Sequence, residues 1–142
     1  MADTDSPRIK EIILEYFELA KTKEIEKIES YLDSKFTKFG DSPPYDRREY
    51  DRAIMLEQLQ FASVSDYEFK VEDLRIQVEK DCALATFVLE SSGILVDDYS
   101  FRGTTVSHKS RATVMLKKDN TGGWRMLHQH LSGFASQLFP RD

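Results

Sequence analysis

Apolar residues recur along this chain at two spacings, helical in its first half and alternating in its second. Ile9, Ile12, Ile13, Tyr16, Phe17 and Ala20 fall on one stripe of a helix. Ser6-Pro7 marks its start, because serine caps free N–H groups and proline suits the first helical position. Thr22 is placed to cap a second helix, which would bury Ile25, Ile28, Tyr31 and Leu32. A short strand over residues 35–39 follows, then a loop over 40–45 containing Pro43-Pro44. Asp46 and Glu49 have the spacing of a capping box for a third helix, with Tyr50, Ile54, Leu59 and Phe61 as apolar positions.

From Val64 the period changes. Tyr67, Phe69 and Val71 share one parity and Leu74, Ile76 and Val78 the other, so a bulge or bend is expected near Glu72-Asp73. Lys80-Asp81 predicts a turn, after which Ala83, Ala85, Phe87 and Leu89 alternate. Residues 91–99 read as a hairpin end, 103–117 as a long strand, and the stretch from Trp124 as the last strand. In that strand Trp124, Met126, His128 and His130 would face one way, and Leu127, Gln129 and Leu131 the other. Helices first and strands afterwards predict an α+β domain, three N-terminal helices packed on one face of a curved, mostly antiparallel sheet.

Composition narrows the class. The 142 residues suit a single domain over 1–142, with residues 1–6 as a flexible tail. Hydrophobic residues make up 40% and charged residues 32%, as in ordinary globular proteins. A formal charge of −5 disfavours nonspecific attraction to nucleic acid or anionic membranes, so neither is an expected partner. The lone Cys82 excludes an internal disulfide framework and fits a reducing compartment. The first residues lack the apolar core of a signal peptide, and no apolar run approaches the ~20 residues needed to span a bilayer. A cytoplasmic location is expected.

The last two strands carry the candidate chemistry. A hairpin with Asp119-Asn120 at its centre would pair Met115 with Trp124, Thr113 with Met126, Arg111 with His128 and Lys109 with His130. Arg111 would then stand beside His128, its planar donors suited to a carboxylate; the alternative is pairing with a neighbouring Asp or Glu. Gly122 and Gly123 permit a register slip that would send Arg111 to the opposite face. The histidines suit either a pocket or structural hydrogen bonds. No metal is expected, because Cys82 lies on another strand and His108 on the opposite parity from Arg111. Neither a glycine-rich phosphate loop nor a nucleophile elbow is present, so no cofactor is expected.

Arg111-x-Thr113, a turn, then Gly123-Trp124-x-x-Leu127-His128-x-His130-x-Ser132-Gly133 resembles the SnoaL-like branch of the nuclear transport factor 2-like superfamily. It is particularly similar to the association domain of calcium/calmodulin-dependent protein kinase II. The resemblance implies a cone-shaped fold, three helices closing one side of a strongly bent sheet. The open end is a pocket that members use for catalysis, small-molecule binding or assembly. On this reading Arg111, His128, His130 and Tyr16 line one cavity for a polar or carboxylate-bearing ligand, without assured catalysis. Ketosteroid isomerases and polyketide cyclases share the fold, and the isomerases' tyrosine and aspartate base would fall at Tyr16 and Asp41. The phenol would stabilise an enolate oxygen while the carboxylate moves a proton. Against this, Asp41 suits a turn, Tyr16 fits the apolar stripe, and Phe87 and Leu89 offer no third polar group. A third reading is a non-catalytic oligomerisation module, using the sheet and residues 134–139. The expected assembly is a homodimer through the sheet, because both faces of the last strands are partly apolar.

Overall fold

The apolar stripe of the first segment becomes helix α1 (Asp5–Thr22), in which Ile9, Ile12, Ile13, Tyr16, Phe17 and Ala20 are all buried. The computed structural model describes residues 5–40, 45–96 and 103–133. The helix begins at Asp5, so Ser6 and Pro7 lie inside its first turn rather than at its cap. The Asp5 carboxylate accepts a hydrogen bond from Trp124 Nε1 at 3.1 Å and lies 3.6 Å from Lys118 Nζ, tying the helix start to the final hairpin.

The second expected helix is a single 3₁₀ segment (Ile25–Tyr31) that buries Ile28. Leu32 opens strand β1 (Leu32–Phe39) instead, three residues earlier than the alternation suggests. Helix α2 (Tyr50–Ser63) starts after Glu49, which makes no side-chain cap. The capping box does not form, because Asp46 bonds Arg52 at 2.6 Å. Ala53, Ile54 and Phe61 are buried on α2 together with Glu57, whereas Leu59 is 61% exposed.

Four long strands complete the sheet: β2 (Val64–Glu79), β3 (Cys82–Val96), β4 (Gly103–Lys118) and β5 (Trp124–Gly133). Their order is β1-β5-β4-β3-β2, with β1 parallel to β5 and every other pair antiparallel. The parity switch in β2 is a bulge: pairing with β3 shifts between Glu72 and Arg75, with Asp73 at φ 54°. Such a bulge bends the strand and raises its twist. A second shift lies between Ser65 and Glu68, with Asp66 at φ 50°. Here β2 crosses Gly93 so closely that a Cβ at that position would lie 2.1 Å from Val64 Cγ1. Lys80-Asp81 forms the expected two-residue turn between Glu79 and Cys82. The helices cover one face of the sheet, where Phe36, Ala85, Phe87, Val114, Leu116 and Met126 join the α1 stripe in one core. Among the described residues, no helix is long and apolar enough to cross a membrane.

The hairpin between β4 and β5 departs from the expected register. Lys118 pairs with Trp124, so the loop has five residues rather than two. Asp119 organises it by accepting hydrogen bonds from Thr121 Oγ1 (2.6 Å), Thr121 N (2.9 Å) and Gly123 N (3.0 Å), and these donors hold its carboxyl down to about 2. Gly122, at φ 87°, supplies the left-handed residue that this loop needs. Pairing then shifts again: Leu116 faces Met126, but the adjacent Met115 faces His128, leaving Leu127 as an extra residue on β5.

Candidate functional site

That extra residue decides where the expected site residues go. Trp124 and Met126 point into the core, but beyond Leu127 the parity flips, so Gln129 and Leu131 point inward while His130 is exposed. His128 lies opposite Met115, His130 opposite Thr113, and Arg111 opposite Ser132 rather than His128. Arg111, His128 and His130 therefore stand on the face of the sheet away from the helices, and Tyr16 is fully buried on the other side. The four do not share a cavity. Asp41 lies outside the described residues.

On the outer face, His128 Nδ1 is 2.7 Å from Thr37 Oγ1, and Phe39 packs against both histidine rings at 5.8 and 5.5 Å between centroids. His130 Nε2 is 3.2 Å from Ser132 Oγ. Partial burial, then the neighbouring His130, lower the His128 pKa below its ordinary value. Burial and the neighbouring His130 favour a neutral His128, while the hydrogen bond with Thr37 acts the other way.

The inner face has a cavity of about 470 Å³ between the helices and the sheet. Phe17, Leu56, Phe61, Leu89 and Leu131 form apolar walls. Its polar end consists of Lys38, Arg48 and Glu57. Lys38 is buried because it shares parity on β1 with Leu32 and Phe36. Arg48 is joined to it by an isolated bridge in which each backbone N–H donates to the other residue's carbonyl, at 3.0 and 2.9 Å. Two cationic side chains are thus set directly opposite each other. Gly40 leaves room for the guanidinium, since a Cβ there would come within 2.9 Å of Arg48 Nη2.

Glu57 is held from two sides. Lys38 Nζ forms an ion pair with its Oε1, and the Tyr16 hydroxyl donates to its Oε2 at 2.5 Å. Lys38 and Glu57 side chains are 4% and 1% exposed, so their attraction is little screened by water. Burial, then the charge and hydrogen bond of Glu57, push the Tyr16 phenol well above its ordinary range. Tyr16 is therefore a fixed donor that positions Glu57, with its proton directed at the carboxylate. Among the described residues the polar end brings Lys38, Arg48 and Glu57 together, groups whose donors and acceptor can bond a polar or anionic head. Nearer the mouth lie Ser91, Ser92 and His108. His108 is thus the histidine on the cavity side, in keeping with its parity opposite to Arg111. A more open depression of about 480 Å³ over Glu68, Lys70, Glu90 and Lys109 shares these three residues, but lacks the buried charged end. Among the described residues, no group of three or more His, Cys, Asp or Glu is placed to hold a metal.

Lys38, Arg48 and Glu57 were not singled out from sequence, yet two carried a signal. Glu57 sits within the apolar stripe of α2, between Ile54 and Phe61, and Lys38 occupies a buried parity of β1. A charge at a buried position of an amphipathic pattern needs a partner, and here each is the other's. Arg48, inside Asp46-Arg47-Arg48-Glu49, has no such mark.

Solved structures with this fold share little sequence with the chain. An NTF2-like protein from Streptomyces avermitilis, a candidate dehydratase, is 18% identical with a TM-score of 0.79, covering 94% of this chain and 99% of its own. The association domain of CaMKII from C. elegans is 16% identical with a TM-score of 0.70, covering 90% and 95%. An NTF2-like superfamily protein from Salmonella enterica is 20% identical with a TM-score of 0.74, covering 91% and 90%. At these identities the likeness concerns the fold. No curated protein matches the sequence. The SnoaL-like domain pattern matches residues 9–137, and the chain belongs to the SnoaL-like domain family.

Proposed function

We propose that this SnoaL-like domain binds a small molecule with an anionic or polar head and an apolar body in the inner cavity. The observation that supports this reading is the pair Lys38 and Arg48, opposed at the buried end of a cavity whose walls include Phe17, Phe61, Leu89 and Leu131. Its volume lies within the range of small-molecule sites, about 300–1,000 Å³. An isomerase or cyclase reading through Tyr16 finds less support, because the phenol is turned to Glu57. Charge-assisted hydrogen bonds contribute on the order of 1.5–3 kcal/mol. Replacing Arg48 with Gln should then weaken a carboxylate ligand about tenfold or more. The test is a thermal-shift comparison of hexanoate, octanoate and phenylacetate with their amides. Stabilisation by the acids that falls in Arg48→Gln and persists in Arg111→Ala supports the reading. Equal shifts for acids and amides, or loss only in Arg111→Ala, would overturn it.

The outer face supports a second role, self-association as a homodimer. There Met115 is 38% exposed beside half-buried Thr113, Leu127 and Phe39, an apolar strip rimmed by Arg111 and His130. Structures similar to this chain include a CaMKII association domain and CaMKII hubs. Sedimentation should give a dimer that Met115→Lys dissociates; a monomeric parent protein at micromolar concentration would reject it.

A further inference from the structure

Gln129 is fully buried on the inner face of β5, and its side-chain Oε1 has no hydrogen-bond partner among the described residues. Its Nε2 makes only a long contact, 4.0 Å, to Met126 Sδ. Sulfur is a weak acceptor, so turning the amide over would leave the nitrogen as the orphan instead. A buried acceptor without a donor is costly, and each one in a folded chain calls for a partner. Gln129 adjoins the polar end of the inner cavity. It is the Cα partner of Lys38 across the parallel β1–β5 pair, and Leu131, the next residue on the same face, lines the cavity. Paired residues on neighbouring strands stand about 5 Å apart, and alternate residues of one strand about 7 Å apart. The amide thus lies just behind two lining side chains, Lys38 and Leu131, and one weak contact fixes it. Its broad terminal torsion lets Oε1 turn toward the cavity.

Building on the carboxylate reading above, we propose that Gln129 Oε1 accepts a hydrogen bond from the ligand, and that the ligand is an α-hydroxy carboxylate with an apolar body. Lys38 and Arg48 side chains can only donate, which suits the carboxylate. Both Glu57 oxygens already accept, from Lys38 and Tyr16, which leaves Gln129 Oε1 as an open acceptor beside them. The spacing selects the class. Lys38 and Gln129 are directly opposed, so the ligand's donor must sit on the carbon next to the carboxylate. A hydroxyl at the far end of the ligand would lie toward Leu59 and Leu95 at the mouth instead. A site that bonds a hydroxyl discriminates against the analogue lacking it, because its own polar group is then left unpaired.

Isothermal titration of the full chain with two matched pairs tests it: phenylacetate against mandelate, and octanoate against α-hydroxyoctanoate. The ω-hydroxy isomer of octanoate is the positional control. The parent should bind each α-hydroxy acid about fivefold or more tighter than its deoxy partner, and the ω-hydroxy acid no tighter than octanoate. Gln129→Met keeps the side chain's bulk and removes the acceptor. It should abolish the preference while holding phenylacetate and octanoate within about twofold of the parent. Without ligand it should unfold no lower than the parent, since a buried acceptor lacking a donor has been removed. A lower midpoint would show that Oε1 already has a donor, and would overturn the proposal. Equal affinities within each pair, or a preference that survives in Gln129→Met, would do the same. Simple acids that bind through Arg48 with no gain from the hydroxyl would sink this proposal alone. No binding by any of the acids would remove the carboxylate reading with it.

Discussion

Breaking the Lys38–Glu57 pair should destabilise the protein severely, whereas replacing Tyr16, Lys38 and Glu57 together should not. With the two side chains 4% and 1% exposed, neither charge is substantially solvated, so the usual discount for surface pairs does not apply. Lys38→Met leaves the Glu57 carboxylate buried with only the Tyr16 hydroxyl as a described donor. Removing one partner of such a pair costs about 3–5 kcal/mol. For 142 residues at ~2.1 cal/mol/K each, the unfolding entropy is about 0.3 kcal/mol/K, so Tm should fall by about 10 to 17 °C. Glu57→Gln preserves an acceptor for Tyr16 but strands Lys38, and should cost a similar amount. The triple variant Tyr16→Phe, Lys38→Met, Glu57→Leu leaves none of these three groups without its partner and should stay within about 1–2 kcal/mol of the parent. Urea unfolding of all four proteins gives the comparison through the midpoint and slope. Single variants costing less than about 1 kcal/mol, or a triple variant costing the sum of the singles, would refute the reasoning.

Two further outcomes test other parts of the structure. Because folding lowers the His128 pKa, the unfolded chain binds more protons in the window between the folded value and the ordinary 6.5. The stabilisation is present above about 6.5 and is lost as pH falls through the folded value, so Tm measured between about pH 7 and 5 should decline less steeply in His128→Gln. Gly93→Ala would place a Cβ 2.1 Å from Val64 Cγ1 and 3.1 Å from the Ser65 carbonyl, and should cost about 1–3 kcal/mol by chemical denaturation, with partial rescue by Val64→Ala.

Those features of the fold that depend on periodicity were legible in the chain. The parity change at Glu72-Asp73 appears as a bulge in β2, and Lys80-Asp81 as a turn, because each rests on local alternation and local backbone preference. The site was less legible. One extra residue in β5 reverses the facing of His128 and His130, and nothing in Met126-Leu127-His128 signals it, since both parities there carry apolar residues. The five-residue loop likewise follows from Asp119 bonding Thr121 and Gly123, a choice that competes with the shorter turn only once the strands have paired. Glu57 and Lys38 were not read as buried charges; their pairing joins α2 to β1, and Tyr16 joins them from α1, across 41 residues of sequence. Long-range polar complementarity of this kind has no local signature.

The most direct measurement is a crystal structure of the full chain with a carboxylate that stabilises it in the thermal-shift comparison. The account predicts the carboxylate at the buried end of the inner cavity, within hydrogen-bonding distance of Lys38 Nζ or the Arg48 guanidinium, its apolar body along Phe17, Phe61 and Leu89. A cavity filled by side chains, or the ligand seated on the outer face beside Arg111 and His130, would contradict it.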